Sequence, residues 1–221
     1  QLSPIVALNK DRIRICGYQS LVEGLKTAAD VGIAPVYQMT TTYRFGQRAA
    51  DYTGLFYNKM LKAKDDFTFE RIPMLDNVLS PKGGPTLVMT DMPPGNNVPE
   101  FANMLVACIL KCILASNPKK EVAVLSCMKN TVRALQRAIN QYVETRENVL
   151  VDTIARVQGL TTDITVFVIP NTSYIRTAEQ HLFNVATSRA REHTIIIVDR
   201  SILRYSTINP VVRDYLSRLE E

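Results

Sequence analysis

At 221 residues, with 46% apolar and 21% charged side chains, the chain can bury a sizeable core; this excludes a disordered tail and leaves one full domain with extra elements, or two small ones. A net charge of +5 permits a polyanionic partner without demanding one. No apolar run nears the ~20 residues of a bilayer span, and the N-terminus lacks a secretory layout, so no membrane partner and an intracellular place, cytoplasmic or nucleoid/nuclear, are expected.

The first residues, QLSPIV, begin abruptly and without Met, as though cut from something longer. Gln19 to Asp30 predicts a helix that ends in the Gly32 and Pro35 region. An extended YQMTTTYRFG follows, then a second helix from about Arg48 to Lys62. Residues 64–84, with Pro73, Pro81 and the Gly83-Gly84 pair, predict a connecting loop or a small hairpin.

From residue 84 onward, strand-length apolar runs alternate with segments of helical period. TLVMT (86–90), VAVLS (122–126), VLVDT (149–153), ITVFVI (164–169) and TIIIVD (194–199) read as strands, several continuous enough to be buried on both faces. Between them, Glu100 to Ser116 places Phe101, Leu105, Cys108, Ile109, Cys112 and Ile113 on one helical stripe. Lys129 to Glu147 does the same with Val132, Leu135, Ile139, Tyr142 and Val143. This alternation predicts an α/β domain with helices on both faces of a largely parallel sheet. Ligands in such folds bind beyond the carboxyl ends of the strands, which directs attention to the residues after Ser126, Thr153 and Asp199.

Familiar catalytic sets are missing from the sequence. Only His181 and His193 are available, and there is neither a G-x-S-x-G elbow nor a G-x-x-x-x-G-K-[ST] phosphate loop. The four cysteines, Cys16, Cys108, Cys112 and Cys127, lie in apolar surroundings without a ligand pattern, so no metal site is expected and they read as reduced core residues.

The stretch FNVATSRAREHTIIIVDR, 183–200, poses a chemical question. Arg189 and Arg191 stand between an apolar helix and three isoleucines, and a guanidinium keeps its charge, so it needs an anion or a route to water. A negative partner is expected close by. Two further segments bring donors to loop edges: TTTYRFG, with Arg44, and DTIARVQGLTTD, with its Gln158-Gly159 pair and threonine-rich turn.

In this order these segments resemble motifs IV, V and VI of superfamily 1 helicases, and QLSP resembles the tail of motif III, usually written GD-x-x-QL-x-P. SLVEGLKTAADVGIAPVYQMTTTYRFG is similar to the helix, Gly-Ile-x-Pro turn and QYRMHP stretch of the branch containing the nonsense-mediated-decay and nidovirus helicases. FNVATSRAR matches the most specific element, NVA-x-TRA(K/R). The likeness runs to about residue 205 and leaves 64–84 unmatched.

The resemblance implies a RecA-like, P-loop-NTPase-type three-layer fold without its Walker A loop. Residues 1–36 would be a remnant of the first RecA-like domain and 37–221 the second. It implies an ATP-dependent helicase whose ATP and Mg2+ are held mainly by the first domain of the parent chain, with single-stranded DNA or RNA as partner. Arg189 would be the arginine finger and Arg44 a second γ-phosphate contact. Gln1, Gln158 and Gly159 would lie on the nucleotide, and Ser126 and Thr153 on the phosphates of the strand. Arg191 is expected in a structural salt bridge, and Ser126 equally suits the N-cap of the following helix. Thr161 stands where many relatives carry a ribose-binding Glu. The alternatives are a nucleic-acid-binding or protein-interaction module that keeps the fold without the motor.

Overall fold

The computed structural model describes residues 32, 39–93, 95–96, 98–157, 159–170, 179–204 and 208–220. A short parallel pair comes first, β1 (Thr41–Thr42) with β2 (Lys62–Ala63), and between its strands lies α1 (Gln47–Gly54). The expected long helix stops early. A 3-10 turn, Leu55–Tyr57, extends it, and then Asn58 and Lys59 take left-handed conformations, φ 54° and 60°, which turn the chain back toward β2.

Five strands make the main sheet: β3 (Gly84–Thr90), β4 (Val122–Ser126), β5 (Val149–Thr153), β6 (Thr162–Ile169) and β7 (Ala190–Asp199). They are ordered β3-β7-β6-β4-β5 and every pairing is parallel. The strand side chains alternate between two cores, as period 2 requires. Val122, Val124, Ile164, Val166, Ile195 and Ile197 face one core; Ala123, Leu125, Phe167, Ile169, Ile196 and Val198 face the other.

The first core is covered by α2 (Glu100–Ser116) and α3 (Lys129–Tyr142), and the second by α4 (Gln180–Thr187) and α5 (Pro210–Glu220). The result is the three-layer α/β, RecA-like arrangement expected. From β4 the chain crosses by α3 to the outer β5, and from β6 it returns on the opposite face to β7, so the topological switch point lies between β4 and β6.

Two further expectations are corrected, the roll of α2 and the end of α3, while the connecting loop expected over 64–84 holds. The α2 stripe is rotated: Ala102, Val106, Ile109, Leu110 and Ile113 face the core, while Phe101 is 64% exposed and Cys108 is exposed too, so that cysteine is no core residue. This helix is apolar almost all round, and periodicity alone cannot set its roll. Residues 64–84 are a connecting loop, with a 3-10 turn at Pro73–Leu75, that lends Ile72, Leu75 and Leu79 to the first core. Finally, α3 ends at Tyr142 because Val143 is already extended. The expected helix over Gln19 to Asp30 lies outside the described residues. No described helix is long and apolar enough to cross a membrane.

Candidate functional site

The residues singled out from the sequence divide between opposite edges of the sheet. Ser126 and Thr153 are register partners at the carboxyl ends of β4 and β5. Thr153 is half-buried, and its N–H donates to Asp152 Oδ1 at 2.6 Å. Ser126 is fully buried, and its Oγ has no hydrogen-bond partner among the described residues. It does not cap α3: Met128 occupies the N-cap, without a side-chain bond, so that expectation is corrected. With its Oγ buried, Ser126 presents no hydroxyl to solvent in this arrangement. The nearby end of β7 is sealed by Asp199, whose carboxylate accepts from the backbone N–H of Met92 (2.6 Å) and of Ser201 (2.9 Å).

The arginines gather at the other edge. Arg189 immediately precedes β7, and Gly159 lies just before β6, so both stand at the amino ends of strands, contrary to the carboxyl-end rule applied to the sequence. Arg44, just beyond β1, joins them by donating from Nη1 to the Ser188 carbonyl at 2.7 Å. Gly159 has φ +94°, a left-handed conformation that suits glycine, and the turn closes with Leu160 N–H donating to the Val157 carbonyl at 3.1 Å. Gln1 and Gln158 lie outside the described residues.

Arg189 is only 8% exposed, yet the expected anion is not what holds it. Its Nε donates to the Val185 carbonyl (3.0 Å) and its Nη1 to the Leu160 carbonyl (3.3 Å). Val185 belongs to the last turn of α4, where carbonyls lack helical partners and the helix end carries partial negative charge. Backbone oxygen therefore substitutes for a carboxylate. Burial, and after it the neighbouring Arg44 charge, push the Arg189 pKa below its ordinary value. Among the described residues no carboxylate pairs with either arginine. Arg191 differs: it is the ion-paired one, 2.8 Å from Asp163 Oδ1 and 3.2 Å from Glu121 Oε2.

Arg44 opens onto a cleft of about 920 Å³ whose walls include Tyr43, Tyr57, Phe67, Thr161 and Ser188. The lining thus combines cationic, hydroxyl-bearing and aromatic side chains, with the carboxylate of Glu192 also among them.

A family model described as an AAA domain matches residues 18–201. The chain belongs to this AAA-domain family. Among curated proteins none matches it. Of solved structures, the C-terminal domain of a possible DNA helicase from Lactobacillus plantarum WCFS1 superposes with a TM-score of 0.46 at 16% identity, covering 77% of this chain and 96% of that one.

In this AAA domain the cleft also has residues that sequence reading missed. Tyr57, 39% exposed, accepts a 2.9 Å hydrogen bond from Asn184 Nδ2 of α4, a residue 127 positions away. Nothing in the spacing of a helix-end tyrosine could have disclosed that pairing. His193, behind the cleft, is no acid–base group: it is 4% exposed, its ring lies 5.7 Å from that of Phe69, and its pKa is pushed down to about 4 by burial first and then by Lys120 and Arg48. Lys120 is itself buried and bonded to Glu192 at 2.6 Å. Among the described residues no group of three or more His, Cys, Asp or Glu side chains could hold a metal ion.

Proposed function

We propose that the chain is the second motor domain of a superfamily 1 helicase or translocase, of the branch containing the nonsense-mediated-decay and nidovirus enzymes. It would supply an arginine finger and strand contacts to ATP, with Mg2+, held by a first RecA-like domain of the same parent protein. The observation that carries this reading is the pair Arg44, which lines the cleft, and the buried Arg189 beside it: two guanidinium groups held by carbonyls and left without a carboxylate among the described residues. Such a pair is prepared for an anion that arrives from outside.

In phosphoryl transfer, charge develops on the equatorial oxygens of the γ-phosphoryl group, and an arginine placed there is worth about 10³ to 10⁵ in rate. Closure of the two domains on ATP would bring that group to Arg189 and Arg44. Gly159 lets the adjoining turn approach closely, and Gln158 and Gln1 complete the nucleotide side in this reading. At the far edge, Thr153 would hold a phosphate of the single strand, with Ser126 beneath it. Alternation between closed and open states then moves the strand by a population shift.

Two measurements on the purified 221-residue chain test this reading. It should show no ATP turnover, and it should bind single strands with a salt dependence of about 0.7 log units per phosphate contacted. Strand-stimulated hydrolysis by the chain alone would contradict the division of labour.

A further inference from the structure

Tyr57 ends the 3-10 turn after α1 and stands in the wall of the cleft that also holds Arg44 and Ser188. Its phenol oxygen accepts from Asn184 Nδ2, and Asn184 is buried in α4, one residue before the Val185 carbonyl that fixes Arg189. A phenol oxygen that accepts from an amide turns its own O–H away from it. Among the described residues no acceptor takes that proton, and the ring is 39% exposed, so the hydroxyl is left to serve the cleft.

We propose that Tyr57 is a third donor to the anion that Arg44 and Arg189 await, its hydroxyl directed by Asn184 to an oxygen of the terminal phosphate of a nucleoside triphosphate. This rests on the reading of that corner as a phosphate site. The chemistry favours a neutral donor there. Arg44 and Arg189 already repel each other, and a third cation would add to that repulsion, whereas a phenol adds a directional bond without charge. Asn184 touches no ligand in this scheme and is a positioning residue.

The test uses inorganic triphosphate as the probe and the 221-residue chain as the protein. Calorimetry compares the parent chain with Tyr57→Phe, which keeps the ring, and with Arg189→Ala. The expected result is binding by the parent, a loss of about tenfold in Tyr57→Phe, the scale of one hydrogen bond to a charged group, and a larger loss in Arg189→Ala. In parallel, the tyrosine ¹³Cζ resonance that Tyr57→Phe removes should shift when the parent chain is saturated. If Tyr57→Phe binds like the parent while Arg189→Ala does not, the phosphate site stands and Tyr57 is merely a strut. If the unsubstituted chain itself does not bind, the corner makes no phosphate site without the first domain and the Tyr57 assignment is overturned, whereas the motor reading is judged on the full-length protein. Should Tyr57→Phe not fold, the Tyr57 ¹³Cζ resonance, assigned by sequential connectivity in the unsubstituted chain, decides: a shift supports the donor role, and none overturns it.

Discussion

Arg44 docks on the peptide that leads into Arg189: its Nη1 donates to the Ser188 carbonyl at 2.7 Å, and its charge adds to burial, the larger cause, in depressing the Arg189 pKa. Two segments 144 residues apart in the chain thus present like charges to one corner. Like charges brought together cost free energy unless an anion joins them, and here helix-end and loop carbonyls supply only partial compensation. The corner is left with excess positive charge, which is what the proposed phosphate role requires.

The pH dependence of stability should report His193. Unfolded, this side chain titrates near the ordinary 6.5; in the fold burial brings it to about 4, so between those values the unfolded chain holds the extra proton. Stability is therefore complete above pH 6.5 and falls as the pH drops toward 4, by on the order of 3 kcal/mol for this group. Urea unfolding across that range should show the slope, and His193→Gln should flatten it. An equal slope in the variant would assign the effect elsewhere.

Two glycines share a left-handed backbone but differ in surroundings. A Cβ on Gly83, φ +68°, would press on the Phe69 ring and lie 2.7 Å from the Glu192 carbonyl oxygen, whereas one on Gly159, φ +94°, meets nothing within 4 Å. Gly83→Ala should cost roughly 2–4 kcal/mol from conformation and crowding together. Gly159→Ala should cost about 1–2 kcal/mol from conformation alone. Denaturant midpoints of the two variants provide the comparison, and equal losses would contradict the packing around Gly83.

The last helix should be integral to the fold. Tyr215 of α5 is 1% exposed, with ring centroids 5.1 Å from both Tyr52 and Phe183, and Tyr52 Oη in turn donates to the Arg218 carbonyl at 2.9 Å. Tyr215→Ala should cost about 3–5 kcal/mol in urea unfolding, the usual loss for a buried aromatic ring. A change under about 1 kcal/mol would mean that α5 is not packed as described.

Legibility varied with burial. β4 and β5 match their sequence expectations residue for residue, because VAVLS and VLVDT are apolar runs bounded by polar loops. The α2 helix was foreseen in extent but not in roll, since Phe101 and Cys108 are as apolar as the residues that face the core. α5 escaped notice because Arg213, Asp214 and Arg218 interrupt its short apolar set of Val212, Tyr215 and Leu216. For the site, resemblance put Arg44 and Arg189 on one ligand, and the fold brings them to one corner. The contact of Tyr57 with Asn184 depends on the fold bringing the 3-10 turn after α1 beside α4 and left no local signature.

Hydrolysis by the parent protein, with its first domain in place, tests the central claim most directly. In single-turnover ATP hydrolysis with a stimulating strand, Arg189→Ala should lower the rate by about 10³ or more, while ATP affinity, set in the full protein by the first domain, stays within a few-fold. A rate that survives the substitution would contradict the role of Arg189 as the group that meets the terminal phosphate.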